Sequence, residues 1–298
     1  MYQSILNFNR ARYFWVALGL TALSIAAYWW HEPVGVPNGG TWLGYTLGTI
    51  GALLIVWLMW LGIRKRSYTS NVGSVQGWTS AHVYLGTALL VIGTLHGGFQ
   101  FGLNLHTLTY ALMVIVIVSG IFGIVVYLRY PSLMSLNRAG DTLDDLLEKI
   151  NKIDARSLND AGSSAGSASL KKLVESAIQG CHLGGSSWQQ LRAIDASTVV
   201  VPVELGEGAV AKAQSNKDQA LVINTLANRL SQLSGGPEAG LTQGLLFNFS
   251  TKQTLLRRVR RDTQVRALLK IWLYVHVPLS FALLAALISH VIVVFFYW

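Results

Sequence analysis

The chain has 298 residues, of which 52% are hydrophobic and 12% are charged, and its formal net charge is +9. Soluble globular domains usually carry about 25% charged residues, so the composition excludes an ordinary soluble domain and indicates an integral membrane protein. The single cysteine, Cys181, excludes a disulfide framework. The positive charge does not indicate nucleic-acid binding, because the basic residues lie beside apolar segments, where membrane orientation signals belong.

Five apolar segments are long enough to cross a membrane as helices, which takes about 20 residues each. The first segment follows MYQSILNFNRAR and lacks a small-residue cleavage site, so we interpret it as a retained helix. The predicted membrane helices one to five cover approximately 13–30, 41–63, 78–103, 106–128 and 269–298.

The distribution of Lys and Arg predicts the orientation of these helices. Basic residues precede helices one and five and follow helices two and four, whereas the loops 31–40 and 103–105 contain none. Because Lys and Arg mark the cytoplasmic side, we expect a cytoplasmic N-terminus and a periplasmic C-terminus in the inner membrane of a bacterium. Trp and Tyr crowd the predicted interfaces, including Trp298, as in an aromatic belt.

A polar segment separates helices four and five. We therefore predict three parts: membrane helices one to four in 1–130, a cytoplasmic insertion in 131–265, and membrane helix five in 266–298. Within the insertion, AGSSAGSAS at 161–169 is typical of a flexible linker. DTLDDLLEKINKI, LKKLVESAIQG and KDQALVINTLANRLSQL predict helices, and STVVVPVEL predicts a short strand.

Two further features of the insertion bear on its role. The basic stretch LLRRVRRDTQVRALLK predicts a helix that either lies on the anionic membrane surface or continues into helix five. The insertion contains no Cys cluster, phosphate-binding loop or paired histidines. We expect it to hold no redox cofactor and to dock a partner.

Two predicted helices each carry a pair of histidines with the same spacing. His82 and His96 are fourteen positions apart on helix three, and His276 and His290 are fourteen apart on helix five. Fourteen residues come within ~40° of four whole turns and rise ~21 Å, so each pair lies on one helix face. Helices three and five run in the same direction, so His82 lies at the depth of His276, and His96 at the depth of His290.

A single histidine in an apolar helix is usually a packed, hydrogen-bonded residue. Four histidines favour a functional role, because ionisable groups in a bilayer are costly and are usually kept for function. The spacing of the second pair also equals that of the first, and over a ~20-residue span such a match is roughly a one-in-twenty event by chance. Two imidazoles that face each other across a bundle can bind a haem iron from both sides, which suits electron transfer. A zinc or di-metal site is less well supported, because the spans lack Cys and carboxylate ligands.

The paired His-x13-His helices, parallel and separated by one antiparallel helix, resemble two families. One is the dihaem core of cytochrome b in quinol:cytochrome c oxidoreductases, and the other is the membrane domain of ferric reductases and NADPH oxidases. The resemblance covers helices two to five, about 100 of the 298 residues. It implies two b haems in a four-helix bundle. The chain lacks the PEWY quinol-oxidation motif of cytochrome b and the flavin and NADPH domain of the reductases.

Further residues are candidates for cofactor contacts. Gly86, Gly93 and Gly97 lie along helix three, where glycine lets a flat macrocycle approach the backbone or lets helices pack closely. Gly48 and Gly62 repeat the fourteen-residue spacing on helix two, and the same two interpretations are equally open. We interpret His106 as an interfacial residue or a propionate partner and not an iron ligand, and we interpret His31 and His182 as surface residues.

These features predict an all-α integral membrane protein whose helices two to five form a dihaem bundle. Its expected function is that of a cytochrome b subunit of a respiratory oxidoreductase complex. It would relay electrons across the membrane between two bis-histidine haems and partner subunits or a quinone. Expected partners are membrane lipid, other subunits and a periplasmic carrier such as a c-type cytochrome, with no nucleic acid. The alternative is a haem-free scaffold or a proton- or ion-translocating transporter subunit that uses the same histidines.

Overall fold

The computed structural model describes residues 5–33, 35–67, 73–138, 140–202 and 213–296, and it is mostly helical (78%). The chain divides into two compact units. Unit one comprises Met1–Leu128 and Trp272–Trp298, and unit two comprises Arg129–Ile271. The predicted interfacial residue Trp298 lies outside the described residues.

Nine α-helices and two β-strands are described. The helices of the first half are α1 (Arg12–Trp30), α2 (Trp42–Arg66), α3 (Val75–His96) and α4 (Leu105–Arg138). The remaining elements, in chain order, are α5 (Leu143–Ala161), α6 (Ala168–Gln179), α7 (Ser187–Leu191), β1 (Thr198–Val200), β2 (Ala213–Ser215), α8 (Ala220–Gln232) and α9 (Pro237–Phe296). Residues 105–128 of α4 and 272–296 of α9 belong to unit one.

Five of the described helices are long and apolar enough to cross a membrane: α1, α2, α3, the Leu105–Tyr130 part of α4, and α9. Their outer faces expose large apolar side chains such as Leu23, Leu53 and Phe281. Exposed apolar surface of this extent is unfavourable in water, whereas hydrocarbon solvates it. An integral membrane protein is therefore supported by both helix length and surface chemistry.

The helices of unit one share an apolar core. Helices α1 and α2 pack along α3. One buried cluster joins Ile55 and Leu58 of α2, Leu89 of α3, Met113 of α4 and Leu283 of α9. The four helices predicted to form a bundle therefore contact one another through side chains between the two histidine levels of α3 and α9.

The prediction that helix three continues to residue 103 is wrong, because α3 ends at His96. The next residues turn sharply: Gly98 has φ +56°, and a side chain on it would collide with the carbonyl group of Pro37. Glycine adopts this left-handed conformation without the steric cost that other residues meet. His96 therefore occupies the last turn of its helix, only nine residues before α4 begins at Leu105.

Two other helices are longer than predicted. Helix α4 continues past residue 128 to Arg138, and α9 begins at Pro237 and not near residue 269. Apolar composition predicts only the part of a helix that can lie in a membrane, so it does not predict the polar residues that extend the helix. The basic stretch 255–270 forms part of α9. This agrees with the predicted alternative in which the stretch continues into helix five.

Unit two has a hydrophobic core of its own. Side chains of α6, β1, α8 and the first part of α9 form one cluster, which includes Leu170, Val199, Leu226 and Phe249. Strands β1 and β2 pair antiparallel, with Thr198 opposite Ser215. This small sheet departs from an all-α fold, although the strand at 198–200 lies in the stretch predicted to form one.

The segment 161–169, predicted to be a flexible linker, forms a hydrogen-bonded turn between α5 and α6. The amide of Gly166 donates to the carbonyl of Ser163, and Ser167 caps α6 through the amide of Leu170. The Arg229 guanidinium donates to the hydroxyl groups of Ser167 and Ser169. Small polar residues are compatible with a linker or with a turn that caps a helix, and here the capping contacts form.

A buried ion pair stabilises unit two. The ammonium of Lys252 lies 2.6 Å from a carboxylate oxygen of Asp154, and the Lys252 residue is fully buried. Burial raises the pKa of Asp154, and the charge of Lys252 opposes this effect. We expect K252M to lower the free energy of unfolding by about 3–5 kcal/mol, because the variant leaves a poorly solvated carboxylate unpaired.

Thermal unfolding of the full chain in detergent measures this effect. The double variant K252M/D154L is the matched control, because it removes both charges. We expect it to recover most of the lost stability. A K252M variant as stable as the wild type would show that the Lys252–Asp154 ion pair does not stabilise unit two.

Candidate functional site

The four paired histidines all lie in unit one, on α3 and α9. We call His82 and His276 the inner pair, and His96 and His290 the outer pair, after their predicted sides of the membrane. In three of the four, the Nδ1 atom lies within hydrogen-bond distance of an oxygen on a neighbouring helix. The partners of His82, His96 and His276 are the Leu58 carbonyl at 3.0 Å, the Gly44 carbonyl at 2.7 Å and the Ser119 hydroxyl at 2.6 Å.

Two of these contacts determine which ring nitrogen carries the proton. A carbonyl oxygen only accepts, so Nδ1 of His82 and of His96 must be the donor. In a neutral imidazole the other nitrogen, Nε2, then has a free lone pair. The rings of His82 and His96 are therefore held in the tautomer that a metal ligand needs. The Ser119 hydroxyl can donate or accept, so its contact with Nδ1 of His276 positions that ring without fixing the tautomer.

The outer pair lies at a separation that suits two ligands of one metal atom. The ring centroids of His96 and His290 are 6.2 Å apart, and the ring planes are inclined by 78°. Two imidazoles on opposite sides of one metal have centroids about 6 Å apart, which is the sum of two bonds of about 2.0–2.1 Å and the nitrogen-to-centre distances. The backbone positions of α3 and α9 thus bring the two predicted partners together.

The inner pair has a cationic and an aromatic side chain in its surroundings. His276 lies within electrostatic range of His82, and Lys65 at the end of α2 lies within range of both. The Trp272 indole stacks on the His276 ring, with centroids 5.3 Å apart. The same indole donates to the carbonyl of Ser119 at 2.8 Å, so Ser119 contacts both aromatic rings.

A third histidine joins the outer pair. The ring of His106 lies 5.2 Å from that of His96 and 5.1 Å from that of His290, centroid to centroid. The coordinating nitrogens of the three residues all lie within 4.8 Å of one another. The centroids form a nearly isosceles triangle, so the His106 ring lies beside the midpoint between His96 and His290. We call these three residues the outer cluster.

The tight connection between α3 and α4 explains the position of His106. Helix α3 ends at His96, and His106 lies in the first turn of α4, whose start is fixed by a bond from the Thr107 amide to the side chain of Asn104. The interpretation of His106 as an interfacial residue or a propionate partner stays a prediction, to which the structure adds that its ring lies close to both rings of the outer pair. A continuous helix to residue 103 would have placed it farther from His96.

The predicted glycines differ in their surroundings. A side chain at Gly93 would meet the Met113 thioether, with Cε at 2.7 Å, and one at Gly97 would meet Nε2 of His106 at 3.1 Å. At Gly86 the nearest atom is a methyl carbon of Leu58 at 4.0 Å. Gly93 and Gly97 thus allow contacts between α3 and α4, whereas Gly86 has open space one turn from His82.

The two glycines of α2 are not equivalent. A Cβ atom at Gly48 would lie 2.6 Å from Cε1 of His96, so the imidazole fills the space of the missing side chain. Among the described residues, no atom outside the neighbouring turns of α2 lies within 4 Å of a Cβ at Gly62. The structure therefore links Gly48 to the outer pair and gives Gly62 no such role.

The residues that hold the imidazoles are not evident from the sequence. The pattern of helix four presents Ser119 and Gly123 only as small residues that allow close packing. Gly123 does admit the Trp272 ring, but Ser119 also orients His276. The only sequence feature that could have indicated the role of Ser119 is the presence of its hydroxyl group in a run of Val, Ile and Phe. The carbonyl acceptors of Leu58 and Gly44 leave no signal in the side-chain pattern.

The remaining histidines lie outside both pairs. His31 is half-buried, and its ring meets the Trp42 indole edge to face at 5.1 Å, so it is not the surface residue that we predicted. His182 is exposed in unit two, as predicted.

Unit two contains a cavity of about 460 Å³. Its charged side chains are of both signs, and several are paired across its wall. Arg260 lies 2.7 Å from Asp195 and 2.9 Å from Asp218, while Asp262 pairs with Arg138 and Arg266. This pairing leaves no concentration of one charge, so the cavity is a weaker candidate site than the histidines.

Comparisons of the chain with protein-family models, curated proteins and solved structures find no match.

Proposed function

We propose that this chain is a dihaem b-type cytochrome subunit that relays electrons across a membrane within a larger oxidoreductase complex. The observation that carries the proposal is the orientation of three of the four predicted ligands. His82 and His96 donate from Nδ1 to a carbonyl oxygen of another helix, which leaves Nε2 free to bind iron, and Nδ1 of His276 is held by the Ser119 hydroxyl.

The ligand types of both pairs suit a bis-histidine haem, and the outer pair imposes one condition. The donor set consists of neutral imidazoles, which are common axial ligands of haem iron. At the outer pair the ring of His106 lies beside the midpoint between the two ligands, where a macrocycle would have to pass. Binding of the outer haem therefore requires the His106 side chain to turn away from this midpoint.

Bound haem supplies one-electron redox chemistry at each pair. The protein side chains contribute geometry and environment. If both histidines of a pair bound the iron, no coordination position would remain open, which would favour electron transfer over reaction with a substrate. A buried apolar cluster from α2, α3, α4 and α9 lies between the pairs, and the fourteen-residue spacing separates the two levels by ~21 Å along the helix.

Charge distinguishes the two ends of the bundle. The inner pair has Lys65 within electrostatic range, and cationic side chains commonly bind haem propionates. The loops 31–40 and 97–104 at the outer end contain no Lys or Arg. We therefore propose that neutral donors, including His106, or a cation from a partner subunit serve the outer haem. A periplasmic c-type cytochrome is the partner class that this arrangement fits, and a quinone is a further candidate.

Ser119 provides a test of the inner pair. We expect S119A to weaken haem binding there about 10–100-fold, because loss of a hydrogen bond that orients a ligating histidine has this effect on metal affinity. Haem occupancy and the reduced absorption spectrum of the purified variant measure it. S24A is the matched control, because Ser24 is buried in α1 and donates only to the Leu20 carbonyl of its own helix. Equal haem occupancy in the two variants would contradict the assigned role of Ser119.

Electron transfer across a bilayer tests the proposed function itself. The chain is reconstituted in liposomes that contain ferricyanide, and dithionite is added outside. We expect reduction of the trapped ferricyanide at a rate that depends on the amount of chain and that falls to the level of empty liposomes in H82A and in H290A. A haem-free scaffold or transporter subunit would show no such transfer, and this result would overturn the proposal.

A further inference from the structure

The outer cluster contains one more ligand than a haem needs. Three imidazoles converge from α3, α4 and α9, and their coordinating nitrogens lie within 4.8 Å of one another. Two of the three would suffice for a bis-histidine haem. In its present position the third, His106, blocks a macrocycle, but it can bind a single metal ion together with the other two.

We propose that, in the haem-free chain, the outer cluster binds a single first-row divalent metal ion, with Zn²⁺ as its natural occupant. Three histidines and one open position form a known ligand set for zinc. This inference goes beyond the proposed function, because it concerns the chain before the outer haem is bound and does not require that haem. Since the ion and the outer haem use the same two histidines, they exclude each other.

The geometry needs only a small adjustment. Zn–N bonds of about 2.0–2.1 Å at tetrahedral angles place the nitrogens about 3.3 Å apart. The present separations of up to 4.8 Å can shorten by side-chain rotation. One ring is already oriented: Nδ1 of His96 is held by the Gly44 carbonyl at 2.7 Å, which leaves Nε2 as its coordinating atom.

The chemistry of the surroundings selects the class of ion. Imidazole is a ligand for Zn, Cu, Fe and Ni, whereas Mg²⁺ and Ca²⁺ prefer oxygen. Glu32 is the only acidic residue in the sequence of unit one, so oxygen ligands for a hard cation are scarce. Zinc has no geometric preference of its own and accepts the trigonal arrangement of the three nitrogens.

The proposal is tested with full-length chain purified without haem in detergent. Zn²⁺ is added, excess metal is removed by dialysis, and bound zinc is counted by mass spectrometry, with Co²⁺ absorption as a spectroscopic check on tetrahedral geometry. We expect one tightly bound ion per chain. H106A should weaken zinc binding on the order of 100-fold or more, since even the loss of an outer hydrogen-bond partner costs about 10–100-fold.

Two control variants show whether zinc binds at the outer cluster. H182A removes an exposed histidine of unit two and should leave zinc binding unchanged. H106A should still bind the outer haem, because that haem needs only His96 and His290. Wild-type chain that binds no zinc, or H106A that binds zinc as tightly as the wild type, would overturn the metal site. Absence of haem from both proteins would overturn the proposed function and leave the metal site standing.

Discussion

Replacing either histidine of the inner pair is expected to remove one haem and leave the other. H82A and H276A should both lose about half of the bound haem and the same component of the reduced spectrum, because one missing axial ligand abolishes bis-histidine coordination. H96A and H290A should lose the other component. Haem content per chain and low-temperature difference spectra of the four purified variants measure the effect.

The pairing of variants is the critical part of this test. It depends on α3 and α9 running in the same direction with matched depths, and on the outer-pair separation of 6.2 Å between ring centroids. H31A is the matched control, because it removes a half-buried imidazole that lies in neither pair. Loss of the same spectral component in H82A and H290A would show that the assigned pairs are wrong.

The second large effect is expected at Gly48. In G48A the new methyl group would lie 2.6 Å from Cε1 and 2.8 Å from Nδ1 of His96, so the ring must move. Movement breaks the bond from Nδ1 to the Gly44 carbonyl and removes the orientation of the ligand. We expect outer haem affinity to fall about 10–100-fold, the usual effect of losing such a hydrogen bond.

Gly62 provides the matched control on the same helix. G62A adds the same methyl group fourteen residues later, where no atom of the described residues outside the neighbouring turns of α2 lies within 4 Å. Both variants also change the helix propensity of α2 in the same direction, by about 1 kcal/mol, so a difference between them reports on His96. Haem titration of both variants measures it. Equal outer-haem affinity in G48A and G62A would contradict the contact.

The sequence predicts the membrane helices better than it predicts their ends. Apolar length locates α1 and α2 to within a few residues, because burial in lipid depends on composition. It fails at the end of α3, since hydropathy does not register that Gly98 adopts a left-handed conformation against Pro37. It also misses the early start of α9, whose first residues pack in unit two and not in lipid.

At the candidate site, too, the sequence predicts some features and not others. Helical periodicity places His82 and His96 on one face, and the topology matches them with His276 and His290. Periodicity carries no information about contacts between helices. It therefore cannot distinguish Gly48 from Gly62, and it does not bring His106 to His96. The tight turn after α3 brings these last two rings together, and only the three-dimensional structure supplies that fact.

The haem content of the purified chain tests the central claim most directly. The full chain is expressed in cells supplied with haem, purified in detergent, and analysed for haem per polypeptide and for its absorption spectrum. We expect two non-covalently bound b haems per chain, with a low-spin Soret band and sharp α-bands on reduction. A purified chain that is folded but contains no haem, or one that binds a single five-coordinate haem, would contradict the claim.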